Sequence, residues 1–257
     1  MPRNLCLCLY SVPGGRIVHR HQVFTGMSTT SLYWIVWKCI RAIIECVALD
    51  ITFPSTSEEV KAAAEGFSSI SKEGCIWNCV AVIDGYHLQI NTLSSKNEVR
   101  NVKSFLSGHY QTHGVIVQAA CDHNCCFVFM GVAGPGVMGD RDTIQQVELK
   151  KLVEALPGLY CAIADCAYSP SEHLVPIYRG SDAALPRNIN FNFYASQLRI
   201  WIEMEFGLMV IKWAILTCPL SMKVRKLKFL MIGIARLHNF CIDGRLACGN
   251  GGVDGAV

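Results

Sequence analysis

Charged side chains are scarce in this sequence of 257 residues. Asp, Glu, Lys and Arg together make up 17% of it, while apolar residues make up 51%. Soluble proteins carry about 25% charge on average, and disordered chains combine high charge with few apolar residues. The scarcity therefore excludes a disordered tail or a low-complexity linker. The length allows one large hydrophobic core with at most a small appendage.

A strong excess of either charge is also missing. The formal net charge is +3, which is too small to identify a nucleic-acid partner and does not exclude one. The most apolar stretch, residues 31–51, contains Lys38, Arg41, Glu45 and Asp50, which are costly in lipid. The N-terminus lacks the pattern of a secretory signal. We expect a soluble, intracellular protein, in the nucleus or the cytoplasm, with no membrane partner.

The cysteine content is too low for a disulfide scaffold. Fourteen cysteines are about 5% of the chain, below the roughly 8–10% of small secreted scaffolds. We predict free, mostly buried thiols. Cys75 with Cys79, and Cys121 with Cys125 and Cys126, have a spacing loosely typical of metal ligands. Because no matching CxxC or HxxxH pair follows, a structural zinc site is the less favoured interpretation.

The chain divides into four parts by composition and hydrophobic period. Residues 1–27 show no clear period and are predicted to be an irregular or degenerate N-terminus. Residues 28–77 are predicted to be helical, with Ser28, Thr29 or Thr30 as a helix N-cap. Residues 78–243 are predicted to form the main α/β domain, and the Gly-rich residues 244–257 to form a flexible tail.

Periodicity within the main domain predicts the order β–β–β–α–β–α, followed by a last helix. Short apolar runs predict the strands, and apolar residues spaced three to four apart predict the helices. The predicted strands are residues 79–83, 113–121, 125–132 and 160–164, and the predicted helices are residues 143–156, 193–216 and 223–242. Residues 169–192 are predicted to be a polar loop.

Two of these strands end in an aspartate, and the long helix that follows carries two glutamates. Asp84 follows the first strand, Asp165 follows the fourth, and Glu203 and Glu205 lie on the helix. Acids at strand ends point into the crevice where α/β folds bind ligands. Carboxylates that converge there repel one another unless a cation lies between them. Mg²⁺ prefers such ligands, and two such ions about 3.5–4 Å apart promote the phosphoryl displacement of nucleases and polymerases.

Each acid taken alone has a simpler interpretation as a turn former or a helix cap. The order of the elements is more specific. Acids on the first strand, the fourth strand and the next helix are typical of a ribonuclease-H-like core. Glu203 and Glu205 are about 200° apart around a helix, so they cannot both face one metal ion.

Five segments, in order along the chain, resemble the motifs of one family. They are residues 82–90 (VIDGYHLQI), 134–140 (GPGVMGD), 163–168 (IADCAY), 199–207 (RIWIEMEFG) and 237–240 (LHNF). The chain resembles the Harbinger-type, transposase-derived nucleases of the DDE superfamily. The resemblance implies an α/β fold, with a ribonuclease-H-like mixed sheet flanked by helices and a short helical N-terminal segment. It also implies a hydrolase that cleaves DNA phosphodiester bonds by a two-metal carboxylate mechanism.

The resemblance assigns roles to individual residues. Asp84, Asp165 and Glu203 would be catalytic and would bind Mg²⁺ or Mn²⁺, with Asp140 as a further metal ligand. His87 would contact a phosphate or orient Asp84, and a buried structural histidine is an equally good interpretation. DNA is the implied substrate. A homo-oligomer and a separate DNA-binding protein are the implied partners.

Basic side chains are candidates for DNA contact because phosphates attract Lys and Arg. The densest cluster comprises Lys223, Arg225, Lys226 and Lys228, and Lys212 is a further candidate. A solvated helix start explains the same cluster equally well.

Two alternatives to a nuclease stay open. The family helix after the glutamate is commonly basic, whereas apolar residues such as Met204 and Leu208 stand here. Only residues 26–36 resemble part of the family's N-terminal helix-turn-helix. These departures favour a catalytically inactive, transposon-derived module that binds DNA or protein. Residues 139–143 also resemble the DxDxT loop of aspartyl-phosphate phosphatases, but Ile144 stands where that loop needs threonine.

Overall fold

A five-stranded mixed sheet forms the centre of the computed structural model, which describes residues 28–91 and 101–249. The strands are β1 (Cys79–Gln89), β2 (Gly114–Cys121), β3 (Phe127–Pro135), β4 (Cys161–Ala164) and β5 (Leu174–Pro176). Their order across the sheet is β3-β2-β1-β4-β5. The first three form an antiparallel meander, and β4 and β5 run parallel to β1. The predicted ribonuclease-H-like α/β fold is confirmed.

Helices cover both faces of this sheet. In chain order they are α1 (Thr29–Glu45), α2 (Ser57–Ile70), α3 (Asp140–Thr143), α4 (Leu149–Glu154), α5 (Gly180–Ala183), α6 (Pro186–Lys212) and α7 (Val224–Gly249). The Ser28 side chain accepts a hydrogen bond from the backbone of Ser31 and caps α1 as predicted. Thr56 and Glu59 form a reciprocal capping box at the start of α2.

Apolar side chains fill both spaces between the sheet and the helices. On one face, α6 and α7 bury residues such as Leu198, Ile202 and Leu227. On the other face, α2 and α4 bury Val60 and Leu149. All eight residues of β2 are buried, because a strand covered on both faces is apolar along its whole length. Within the described ranges, no helix is long and apolar enough to span a bilayer.

The strands differ from their predicted positions most at β1 and β5, and β3 is Phe127–Pro135 where 125–132 was predicted. β1 does not end at Asp84 but continues to Gln89, because β2 pairs with it as far as that residue. Asp84 therefore lies inside a strand and not in the turn after it. β5 lies within the predicted loop 169–192, where it adds a parallel edge strand to β4.

Helix boundaries differ as well. The predicted helix 143–156 is interrupted, with a 3₁₀ turn over Ile144–Gln146 before α4 begins. α6 begins at Pro186 and ends at Lys212. α7 continues to Gly249, so the part of the predicted tail before residue 250 is helical. The predicted irregular segment 1–27 and the rest of the tail lie outside the described residues.

Candidate active site

Two of the predicted site aspartates lie side by side because their strands are neighbours. β1 and β4 pair in parallel, with Ile83 opposite Ala164. Asp84 follows Ile83 and Asp165 follows Ala164, so the two aspartates lie at the same place in the sheet. The Asp84 carboxylate accepts a hydrogen bond from the Gly85 N–H at 2.8 Å, and the Asp165 carboxylate accepts one from Ala167 at 2.7 Å. The backbone therefore fixes both carboxylates.

Arg199 joins these aspartates to Glu203. One guanidinium nitrogen lies 3.8 Å from Asp84 Oδ2 and 3.8 Å from Asp165 Oδ2. Another donates to Glu203 Oε1. Arg199 and Glu203 are four residues apart on α6 and thus share one face of the helix. The structure therefore brings the three predicted catalytic acids together around a single cationic side chain.

Asp140 approaches the same place from the other side of β1. A Cβ on Gly85 would lie 2.0 Å from Asp140 Oδ1, so only glycine leaves room for this carboxylate over the strand. Gln118, which pairs with Gly85 across the sheet, donates to Asp140 Oδ1 at 3.1 Å. The Tyr168 hydroxyl in turn donates to Gln118 Oε1 at 2.7 Å. This chain of hydrogen bonds holds Asp140 beside Asp84.

Gln118 and Tyr168 were not among the predicted site residues. Both side chains are buried, and buried polar groups are nearly always hydrogen-bonded to a specific partner. The sequence carries one signal, since Gln118 is the polar residue within the apolar run of β2. Tyr168 lies in one of the five family-like segments, but its partner is 50 residues away.

Burial and mutual repulsion alter the acidity of the cluster. Burial, with smaller contributions from the charges of Asp140 and Asp165, raises the pKa of Asp84 from 3.8 to about 6. Arg199 and the Gly85 N–H oppose this rise only in part. Burial also raises the pKa of Asp140, and Asp165 adds to that effect. The cluster therefore holds more negative charge than Arg199 compensates.

The raised pKa of Asp84 predicts a pH-dependent stability. The folded chain keeps the Asp84 proton up to about pH 6, whereas the unfolded chain loses it near 3.8. Between these values the folded state binds more protons, so the free energy of unfolding falls as the pH rises, by at most about 3 kcal/mol. Asp84→Asn should remove this loss and be the more stable chain at pH 7. Urea unfolding of the parent and of Asp84→Asn from pH 4 to pH 7 in EDTA measures the difference in their free energies of unfolding. A difference that stays constant with pH would contradict the prediction.

The three acids offer the donor atoms that a divalent cation prefers, but in this arrangement they do not form a metal site. Asp84, Asp165 and Glu203 offer carboxylate oxygens, which Mg²⁺ and Mn²⁺ prefer. Arg199 supplies the positive charge among them in this arrangement. Over residues 28–91 and 101–249, no group of three or more His, Cys, Asp or Glu side chains is close enough to hold a metal ion. Cation binding would therefore require the Arg199 guanidinium to move aside.

Among the described residues, neither group of closely spaced cysteines has the ligands of a zinc site. Cys75 and Cys79 form no metal-binding group with a third ligand among the described residues, and neither do Cys121, Cys125 and Cys126. The eleven cysteines from Cys39 to Cys241 whose side chains the structure describes form no disulfide, and four of them are buried. Cys79 and Cys121 lie in the core of the sheet, which explains them as apolar packing residues.

His87 is a packed ring. It is buried on β1 and stacks on Tyr110 with 4.4 Å between the ring centroids. Burial lowers the pKa of His87, so the ring is neutral at pH 7. A Cβ on Gly114 would lie 2.4 Å from His87 Nε2. These contacts favour the structural interpretation of this histidine over a phosphate contact.

The predicted DNA-contact residues do not behave alike. Lys226 donates to the Tyr33 hydroxyl at 2.6 Å and lies 4.8 Å from the Trp37 ring centroid, so it joins α7 to α1. Lys223, Arg225 and Lys228 are exposed at the start of α7, whereas Lys212 is half-buried at the end of α6.

The start of α7 lies at the far end of β1 from the acid cluster. Leu220, just before α7, pairs with Ile90, just after β1. Six residues of extended chain, about 20 Å, separate Ile90 from Asp84. The exposed basic residues would therefore contact a nucleic acid at some distance from the phosphodiester bond that lies at the acid cluster.

Comparisons with known proteins identify the family of the chain. A model of the family described as DDE superfamily endonuclease matches residues 83–239, which is more than half of the chain and contains all three acids. "Protein ALP1-like" from Arabidopsis thaliana is 23% identical over 235 residues, which are 85% of this chain and 55% of that protein. The chain thus spans about half the length of this curated relative. No solved structure matches. The predicted kinship with Harbinger-type, transposase-derived nucleases is confirmed, and the chain belongs to the DDE superfamily endonuclease family.

Proposed function

We propose that this protein is a divalent-metal-dependent DNA endonuclease with Asp84, Asp165 and Glu203 as its catalytic acids. The observation that carries the proposal is the meeting of three carboxylates, from β1, β4 and α6, at one guanidinium. Acids that are distant in sequence and repel one another are rarely assembled without a task for their charge. The membership of the chain in this family supports DNA phosphodiesters as the substrate class.

The acids would hold Mg²⁺ or Mn²⁺, with Asp140 as a further ligand. The bound cation would activate water and stabilise negative charge on the phosphate that is attacked. Asp84 and Asp165 are fixed by backbone N–H groups, so they would set the position of the cation. Glu203 is 47% exposed and can adjust on the helix surface. Gln118 and Tyr168 would orient Asp140 through their hydrogen bonds.

Arg199 would have two tasks in this site. Without a cation, its positive charge offsets part of the negative charge of the three acids that it contacts. When a cation takes that place, the guanidinium is free to donate to a phosphate oxygen, for which its planar fork is well suited. The exposed Lys223, Arg225 and Lys228, with Lys212, would bind the DNA backbone farther away. A DNA substrate implies a nuclear location, and a separate DNA-binding protein would supply sequence selection.

A nicking assay tests the proposed function. Purified protein should convert supercoiled plasmid to the open circle in Mn²⁺ or Mg²⁺, and EDTA should stop the reaction. DNA binding measured in EDTA at several salt concentrations gives an independent readout, because phosphate contacts weaken steeply with salt. Salt-sensitive binding without nicking in either metal would reject the endonuclease and support the second candidate.

The second candidate is a module that binds DNA or protein and no longer cleaves. The surface of α6 after Glu203 favours it, because Met204 and Leu208 are exposed where the family helix is commonly basic. An apolar surface next to the acids would contribute little to holding a polyanion.

A further inference from the structure

An exposed arginine follows β5, the edge strand beside β4. β5 pairs with β4 so that Pro176 lies opposite Ala164, and the next residue, Ile177, donates its N–H to Ala164 O at 3.1 Å. Two residues further on, the Arg179 side chain is exposed. Because neighbouring parallel strands end at one edge of a sheet, Arg179 lies at the same edge as Asp165.

The positive charge of Arg179 acts on the residues that follow β4. A hydrogen bond with Asp165, together with burial, raises the pKa of the Cys166 thiol, and the charge of Arg179 opposes this rise. Such an effect weakens with distance. The Arg179 guanidinium is therefore close to the segment that holds Asp165.

Asn192 on α6 fixes the segment that carries Arg179. Its Oδ1 accepts the Tyr178 N–H at 2.8 Å, and its Nδ2 donates to Tyr178 O at 2.9 Å. The Tyr178 ring also packs edge-on against Phe191, with 5.6 Å between the ring centroids. Asn192 comes seven residues before Arg199, which is two turns or about 10 Å along one face of the helix. The backbone next to Arg179 is therefore attached to the helix face that contacts the acids.

The two arginines near the acid cluster differ in what they contact. Arg199 lies against three carboxylates, whereas Arg179 forms no ion pair with a carboxylate of the described residues. A guanidinium has five N–H donors, and its planar fork fits two oxygens of one phosphate. Arg179 can therefore use its charge and its donors for an anionic ligand outside the chain.

We propose that Arg179 binds a DNA phosphate next to the phosphodiester bond at the acid cluster, and that Asn192 is its positioning residue. The inference deepens the proposed function and rests on it for the place of that bond. The acids repel the neighbouring phosphates of the strand, so a cation beside the acids is needed to hold the strand there. The basic cluster at the start of α7 lies at the far end of β1 and cannot do this.

DNA binding in EDTA tests the proposal independently of cleavage. The full chain is titrated into a short fluorescent DNA duplex at several salt concentrations. Arg179→Gln should raise the Kd about tenfold, because one charge-assisted contact is lost. It should also reduce the slope of log Kd against log salt concentration by about 0.9, because one phosphate fewer is neutralised. Arg179→Lys should keep the slope, because it keeps the charge.

Lys151→Gln is the matched control, because it removes an exposed cation from α4. Shortly after α4, Leu159 O accepts a hydrogen bond at 2.7 Å from Asn78, which precedes β1. Lys151 therefore lies toward the edge of the sheet where β1 begins, and Lys151→Gln should bind DNA like the parent. Equal losses of affinity and slope in Lys151→Gln and Arg179→Gln would overturn the proposal, because the effect would then be one of net charge.

A double-mutant cycle tests the role of Asn192. Asn192→Ala keeps every charge and should still weaken DNA binding, because it releases the backbone next to Arg179. Combined with Arg179→Gln it should cause no further loss, whereas independent effects would add and would overturn the positioning role.

The outcomes separate this proposal from the proposed function. If the parent nicks DNA and Arg179→Gln keeps the parent's Kd and salt slope, the role of Arg179 is overturned and the endonuclease stands. If Arg179→Gln shows the expected losses and the parent nicks in neither metal, the phosphate contact is supported and the endonuclease is rejected. A parent chain without salt-sensitive DNA binding would overturn the contact at Arg179.

Discussion

Asp165→Asn is expected to lose metal-dependent DNA nicking by at least about 10³-fold, or about 4 kcal/mol of transition-state stabilisation. The substitution removes one negative charge from the acids that would hold the cation, and a neutral amide oxygen is a much weaker ligand for Mg²⁺. The amide oxygen can still accept the Ala167 N–H that the carboxylate accepts at 2.7 Å. The fold and the position of residue 165 should therefore be kept. The measurement is the initial rate of supercoiled plasmid nicking in Mn²⁺.

Two controls separate loss of chemistry from loss of structure. Asp182→Asn removes an exposed acid outside the cluster and should nick like the parent. Mn²⁺ binding by electron paramagnetic resonance should weaken in Asp165→Asn alone, which reports on the site without DNA. If Asp165→Asn nicks at the parent's rate, the activity does not reside in these acids.

The meeting of Asp84 and Asp165 could be predicted from the sequence, whereas the shape of β1 could not. Acids after two buried apolar runs predicted a shared crevice, and the parallel pairing of β1 with β4 brings these two aspartates together. The apolar run 79–83 predicts a strand that ends just before Asp84. The strand continues because β2 supplies partners up to Gln89, and because Gly85 is needed for the approach of Asp140. A glycine required by a distant carboxylate looks the same in sequence as a glycine in a turn.

The contacts around the site could not be predicted from local sequence patterns, because they join residues that are far apart in the chain. The spacing of Arg199 and Glu203 indicates a shared helix face, but the contacts of Arg199 with both aspartates arise only when α6 packs on the sheet. Lys226, a predicted DNA contact, bonds to Tyr33, which lies 193 residues earlier. The exposure of Ile189 and Ile211 on α6 could not be predicted either, because an apolar residue in a helix is normally assigned to the core.

Glu205 is an acid on a helix that is commonly basic in the family, and its surroundings explain it. It points away from Glu203, as the predicted 200° separation requires, and is fully buried on the side of α6 that faces α7. His238 Nε2 lies 2.7 Å from Glu205 Oε1. Trp213 Nε1 donates to His238 Nδ1 at 3.2 Å, so Nε2 carries the proton that faces the glutamate. The next residue, Asn239, exchanges two hydrogen bonds with the backbone of Phe127 at the start of β3.

His238→Ala is therefore expected to destabilise the protein by about 3–5 kcal/mol, because it leaves the buried Glu205 without this partner. The cavity left by the imidazole adds to the loss. Guanidinium unfolding at pH 7 measures the effect as a lower midpoint at unchanged slope. The exposed His109 provides the matched control, since His109→Ala should change the free energy of unfolding by less than about 0.5 kcal/mol.

A double substitution distinguishes the loss of this partner of Glu205 from a simple cavity. Glu205→Leu combined with His238→Leu replaces both partners by apolar groups of similar size, and such replacements of buried pairs are often neutral. The double variant should therefore be more stable than His238→Ala by at least about 2 kcal/mol, although it changes more atoms. If the double variant is as unstable as His238→Ala, the pair stabilises the contact of α6 with α7 only by its volume. In that case Glu205 would be no more than a packing residue, and its charge would have no role in joining the two helices.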